Sequence, residues 1–326
     1  MNVNTALSPL AALAEELRAH PAIRSKLAIG SAVRALGLDA GSAGAPGDDA
    51  AVLPREGGFD LLAGEGFIPG FVADDPWFAG WCAVMVNLSD IAAMGGRASA
   101  ILSQVWAPGA EAAAPLLQGL RDASAAYGVP LVGGHTNFAA GELGLAASVF
   151  GRATRVITSF DATPGDVLIA AIDRRGAYRS FDNFFAAGEA PAARLRADLA
   201  LLPELAEAGL VRAGKDISQG GIAGTALMLA ECSGVGMVLD VSALAPPGGV
   251  PVTRWLRSFP SFGFLLSVTP EDAAALSARF DARGIDARAI GHVTHGSKVA
   301  LTDGTDTALF WDHAATPYLD LGGRVA

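Results

Sequence analysis

Between Asp39 and Gly96 the chain carries nine acids, Asp39, Asp48, Asp49, Glu56, Asp60, Glu65, Asp74, Asp75 and Asp90, against a single base, Arg55. Carboxylates gathered at that density call for a counter-charge, and hard divalent cations take oxygen ligands. Asp48 and Asp49 follow Gly47 in "GDDAAVL", just ahead of a short apolar run; alone, that tripeptide also suits a turn closed by an Asx hydrogen bond. Asp90 is the sharper case. It lies in "DDPWFAGWCAVMVNLSDIAAMGG", apolar almost all the way round, where an ionised carboxylate is costly unless paired or metal-bound, and no Lys or Arg shares the segment. Asn87, three residues earlier, presents its amide on the same helical face. A cation distant in sequence would satisfy Asp90 equally, with Asn87 then capping neighbouring backbone.

Three more stretches carry chemistry. Glu65 stands between Gly64 and Gly66 at a strand end, an acid on backbone that a ligand can approach closely. In "VGGHTN" the pair Gly133 and Gly134 is followed by an imidazole, a hydroxyl and an amide, with His135 first, as in a binding loop. "GKDISQGGIAGT" sets Lys215, Asp216 and Ser218 before a helix whose N-terminal N–H groups suit a phosphate, or which Ser218 or Gln219 simply caps. Neither GxxxxGK[ST] nor a GxGxxG opening a βαβ unit occurs, so a nucleotide would be held by other means.

These residues need elements to position them. Asp75 as N-cap, Pro76 at the first position and Gly95 at the end predict a helix through Asn87 and Asp90. Strands are expected at 50–53 and 60–64 after the GDD turn, then a strand at 98–106, a helix at 111–127, a strand running into "VPLVGGHTN" and an alternating strand "LGLAASVFG". Upstream, Leu7 to Leu38 reads as one or two helices broken near Pro21 and ending in a Gly-rich stretch. A second α/β half opens at "VLIAAI", with strands at "GMVLDV", "GFLLSVT" and "ARAIGHV" and helices near 192–208, 221–233 and 271–283. The expectation is an α+β chain of two mixed α/β domains, 1–155 and 156–326, without regular βαβ alternation.

The composition narrows the function. With 326 residues the length suits two domains, and no apolar stretch is long enough for a bilayer crossing. A net charge of -10 repels nucleic acid and anionic membrane, so a polyanionic nucleotide would need metal cations as intermediaries. The start lacks a basic, apolar secretory leader, which places the protein in the cytoplasm by expectation. Cys82 and Cys232, far apart in apolar helical contexts, read as core residues.

Taken in order, "GDDAAVL", the helix segment ending "NLSDIAAMGG", "VGGHTN" and "KDISQGGIAG" resemble the landmarks of the aminoimidazole ribonucleotide synthetase-related superfamily, with thiamine-monophosphate kinase and selenophosphate synthetase as the nearest branches. The resemblance implies a homodimer in which the N-terminal domain, 1–155, binds ATP and Mg²⁺ and contributes to a shared β-barrel, beside a C-terminal α/β sandwich-like domain, 156–326, on the substrate side. It implies Asp48, Asp49, Glu65 and Asp90 as metal ligands, and Asn87, Gly133, Gly134 and Lys215 on the nucleotide. Asp216 and His135 become the groups that orient a small-molecule acceptor or manage its proton. Glu65 and His135 each stand where the kinase branch carries Asp, whereas the synthetase branch shares "GGH". The N-terminal region lacks the cysteine with which selenophosphate synthetase activates selenide. The implied reaction is phosphoryl transfer of the thiamine-monophosphate-kinase type. The alternatives are a synthetase that activates an amide or carboxyl oxygen, and a nucleotide-binding protein without enzymatic activity.

Overall fold

The structure, a computed structural model, describes residues 7–39, 41–42, 46–179 and 181–321. The Gly-rich stretch expected after Leu38 lies partly outside them. In chain order the elements begin with α1 (Pro9–Ala19), α2 (Pro21–Arg24), a 3₁₀ turn (Ser25–Ala28) and α3 (Ile29–Ala35). Next come β1 (Ala51–Arg55), β2 (Gly58–Gly66), α4 (Pro69–Asp74), α5 (Pro76–Ala93), β3 (Arg97–Trp106), α6 (Ala110–Tyr127), β4 (Leu131–Asn137) and β5 (Gly144–Ala153). The middle of the chain forms β6 (Val167–Ile172), β7 (Ala177–Tyr178), β8 (Asn183–Phe185), α7 (Ala192–Leu199), α8 (Leu201–Ala208), β9 (Ala213–Asp216) and α9 (Gly221–Ser233). Last are β10 (Gly236–Asp240), α10 (Val252–Arg257), β11 (Phe259–Pro260), β12 (Gly263–Val268), α11 (Pro270–Asp281), β13 (Asp286–Thr294), β14 (Lys298–Thr302) and β15 (Thr307–Asp312).

Two compact units result. One comprises Asp49–Ile157 with Ala186–Gly209; the other gathers the described residues up to Asp48, Thr158–Phe185 and those from Leu210 onward. The opening helices, expected with the N-terminal half, therefore pack with the C-terminal half. The cause is the apolar stripe of α1: Leu10, Ala14 and Leu17 are buried in one core with Val299, Leu301 and Phe310 of β14 and β15.

The unit built on Asp49–Ile157 holds a five-stranded sheet of order β1-β2-β5-β3-β4, mostly antiparallel with β3 and β4 parallel. Along β5 every second residue, Leu145, Ala147, Val149, Gly151 and Ala153, is buried on the face that α5 covers. Helix α6 packs on α5 at close range. A first side-chain carbon on Gly119 would lie 1.9 Å from the Trp77 carbonyl oxygen, and one on Gly80 would lie 2.2 Å from that of Leu116, so glycine at both places lets the two backbones meet.

The other unit holds a seven-stranded mixed sheet, β15-β14-β10-β13-β6-β12-β9, and a three-stranded one, β11-β8-β7. Its core centres on α9, which is buried on all sides from Gly221 to Ala230. The mixed α/β class expected from the sequence is thus observed, as sheets flanked by helices.

Candidate functional site

Local chemistry shapes α5, the helix that carries Asn87 and Asp90. Asp75 accepts from the Phe78 N–H at 3.2 Å, Pro76 takes the first position, and Gly95 turns the chain out with φ 70°. Burial on nearly all sides leaves Asn87 with no exposed surface and Asp90 with 5%. The Asn87 Nδ2 donates to the Ala83 carbonyl at 2.8 Å, while its Oδ1 is buried without a hydrogen-bond partner. Such an orphan costs about 1–3 kcal/mol, so the position is one that a bound donor or cation would relieve.

The pleat sorts the next two candidates. Glu65 pairs with Ala147, and Ala147 with Ser103, a row on the face covered by α5. His135 pairs with Gln104, whose strand neighbours Leu102 and Trp106 are exposed, a row on the opposite face. The structure does not bring Glu65 and His135 to one side. Between them Gly134 has φ 146°, and a side-chain carbon there would fall 1.7 Å from the Ser103 carbonyl oxygen. Gly133, at φ 153°, precedes it at a register shift between β3 and β4, so the double glycine is demanded by strand pairing.

Asp48 and Lys215 meet in a buried polar knot. The Asp48 Oδ1 accepts from the Ser159 N–H at 2.8 Å and from the Ser159 hydroxyl at 2.6 Å. The Lys215 ammonium, 3% exposed, donates to the same Ser159 Oγ at 3.1 Å and to the Gly47 carbonyl at 3.2 Å. Cys232 adds its thiol to the Gly47 carbonyl at 3.4 Å, and the Ser233 hydroxyl donates to the Ser159 carbonyl at 2.7 Å. Ser159 and Ser233 carry no motif that would single them out in the sequence. Lys215, through the Gly47 carbonyl and Ser159, thus holds the loop that presents Asp48.

Asp216 follows on the edge strand β9 opposite Phe264, 6% exposed, while Lys215 lies opposite Leu265 of the core that surrounds α9. Neighbours in sequence, the two side chains leave the sheet on opposite sides. Beyond Asp216 the chain bends through Gly220 and Gly221, both with positive φ, into α9. At the far end of α9 the Glu231 carboxylate accepts the backbone N–H groups of Tyr318, Leu319 (3.0 Å) and Asp320 (2.8 Å), clasping the C-terminal segment. That clasp, too, was invisible in the sequence, since one carboxylate meeting three consecutive amides has no spacing signature.

Among the described residues no three His, Cys, Asp or Glu side chains gather into a ready metal site. Mg²⁺ is usually bound through one or two carboxylates plus substrate phosphates, so dispersed carboxylates and the orphaned Asn87 oxygen fit an ion that arrives with a nucleotide. No helix among the described residues is long and apolar enough to cross a membrane.

Comparison with known proteins bears on this arrangement. The AIR synthase related protein N-terminal domain matches residues 47–153 and the corresponding C-terminal domain residues 164–304. An uncharacterised protein of Synechocystis is 45% identical over 279 residues, 85% of this chain and 87% of that one. The thiamine-monophosphate kinase of Halobacterium salinarum is 31% identical over 260 residues, covering 75% of this chain and 87% of the kinase. Among solved structures, AaThiL complexed with AMPPCP and TMP superposes with a TM-score of 0.65 at 20% identity, over 86% of this chain and 95% of that one, a likeness of fold. The chain belongs to the AIR synthase related family.

Proposed function

We propose that this protein is an ATP- and Mg²⁺-dependent enzyme that transfers a phosphoryl group to a small-molecule acceptor. The observation that carries the reading is the buried Asn87 oxygen without a partner, one helical turn before the buried Asp90 on an otherwise apolar helix. Relatives named thiamine-monophosphate kinase, and the AMPPCP complex of a protein with the same fold, support ATP as donor.

In this reading Asp48, Asp49, Glu65 and Asp90 would supply the carboxylates, one or two to a Mg²⁺ ion that arrives with the nucleotide and would neutralise the phosphate charge. The chain's own residues do the rest. Ser159 and Lys215 keep the Asp48 carboxylate in one orientation, Asn87 fixes a donor on the nucleotide or its hydration shell, and Asp216 orients the acceptor and takes its proton. Gly133 and Gly134 hold strand register. His135, on the opposite face from Glu65, belongs with the apolar surface around Leu62, Leu102 and Trp106, exposed by 45%, 43% and 38%. A patch of this kind on an open sheet marks an interface, and the partner we assign is a second copy that completes a shared barrel.

Calorimetric titration of ATP with and without Mg²⁺ tests the donor site. Wild type is expected to bind only with Mg²⁺, and Asp48→Asn/Asp90→Asn to lose at least tenfold in affinity; unchanged binding in the double variant sinks the proposal. One rival is a synthetase of the same superfamily that activates an amide or carboxyl oxygen. Product analysis decides between them, since a kinase leaves a stable phosphorylated acceptor and a synthetase releases phosphate.

A further inference from the structure

The seven-stranded sheet has a pocket on one face. Register fixes which face: Lys215, Leu265, Ala170 and Arg288 stand opposite one another in turn across β9, β12, β6 and β13, so all four side chains share the side that α9 covers. Asp216, next to Lys215, leaves the sheet on the other side. Over Ala170 and Ile172 of β6, the start of α9 at Ile222, Trp255 of α10 and Leu244 of the connection between β10 and α10 leave about 230 Å³ of empty space, its open mouth included. The floor is apolar. The charged lining consists of Arg174, Arg288 and Asp286, which leaves one positive charge in excess.

The arginines here, Arg174, Arg175 and Arg288, differ in what they hold. A guanidinium offers Nε and Nη2 together as a flat fork that matches a carboxylate. Arg175 gives that edge to Asp173, at 2.8 and 3.2 Å, and Arg288 gives it to Asp286 Oδ1, at 2.9 and 2.8 Å. Arg174 gives it to no carboxylate. Its Nη1 donates to Asp286 Oδ2 at 2.9 Å, but Nη2 has the Pro246 carbonyl at a long 3.4 Å, and Nε is buried with no hydrogen-bond partner. A buried charged donor left unmet is costly, and the group that meets both donors at once is a carboxylate. We infer that this pocket binds a small organic acid, its carboxylate on the Nε and Nη2 edge of Arg174 in place of the Pro246 contact, and its short aliphatic tail against Ile172 and Trp255. The volume falls below the roughly 300–1,000 Å³ of pockets for drug-sized ligands, which limits the tail to a few carbons. Entry shifts the stretch that carries Leu244 and Pro246. Asp216 faces the opposite side of the sheet, so this acid is a second ligand, separate from the acceptor of the proposed reaction, and the inference stands without that reaction.

The test uses three probes and the full chain. Isovalerate carries charge and tail, isovaleramide the tail alone and acetate the charge alone. In NMR titrations of ¹⁵N-labelled wild type, isovalerate is expected to shift the Trp255 indole N–H signal, assigned by its loss in Trp255→Phe, and to bind at least tenfold more tightly than either of the others. In Arg174→Gln, isovalerate and isovaleramide should bind within twofold of each other. Wild type decides even where that variant does not fold: an indole signal that isovalerate leaves unmoved, or isovaleramide or acetate binding as tightly as isovalerate, overturns the inference. A preference for isovalerate that survives in a folded Arg174→Gln overturns it too. None of these arms contains ATP, so their failure and the failure of the Mg²⁺-dependent ATP titration are separate results.

Discussion

Two acids that look alike in the sequence, Asp48 and Asp90, sit in different chemical surroundings. A serine amide and hydroxyl hold Asp48, whereas Asp90 lies on a helix whose preceding turn carries an unsatisfied amide oxygen. That Asp90 would be buried could be read from the apolar residues around it. That Lys215 would be a loop anchor could not, because its partners Gly47 and Ser159 lie 168 and 56 residues away. Asp182 offers a test at this scale. Burial alone would raise its carboxyl, but the hydrogen bonds and charges of Arg257 and Arg254 outweigh it and hold the group below the usual 3.8. A depressed folded value means that the stabilisation is present above the unfolded value and is lost as pH falls through the folded one. Asp182→Asn should therefore be less stable at pH 7 by on the order of 1 kcal/mol, a modest figure because solvent screens the pair. Melting curves from pH 7 to 2 should show the gap from wild type closing only below about pH 4.

At the scale of elements, what proved readable was local. The cap, the proline and the terminal glycine of α5 are neighbours of the helix they delimit, and the helix spans Pro76–Ala93 as its signals require. The single helix expected over 192–208 divides instead at Ala200 into α7 and α8, since Pro203 withdraws an N–H from the ladder just beyond the break. Strands β14 and β15 escaped notice because their apolar positions gain meaning only beside β10 and α1. The double glycine at 133–134 suggested a ligand loop; its registry role depends on β3, thirty residues earlier, and follows from no spacing in the motif. Gly134→Ala should accordingly destabilise the protein by about 2–3 kcal/mol through overpacking against the Ser103 carbonyl. Denaturant melts should show a lower midpoint, and a variant as stable as wild type would remove the steric reason for glycine there.

For the whole molecule, the exposed residues Leu62, Leu102 and Trp106 set the expectation of association. Sedimentation equilibrium at micromolar concentration should report twice the chain mass of 33.0 kDa, and Leu102→Glu/Trp106→Glu should fall to one chain mass with its far-ultraviolet spectrum intact. A wild type that sediments as a single chain would dispose of the shared barrel. The resemblance to known motifs supplied that idea, while the division of the chain into units was beyond sequence reading, because nothing near residue 48 announces that the stretch before it belongs with residues after 210. Synthesis on the ribosome gives this arrangement a temporal cost. Helix α1 is made well before the strands that cover Leu10, Ala14 and Leu17, β14 and β15, which lie roughly 280 residues later. At about 5–20 residues per second, its apolar stripe waits roughly 15 to 55 seconds for its partners, a window in which the nascent chain is a client for chaperones.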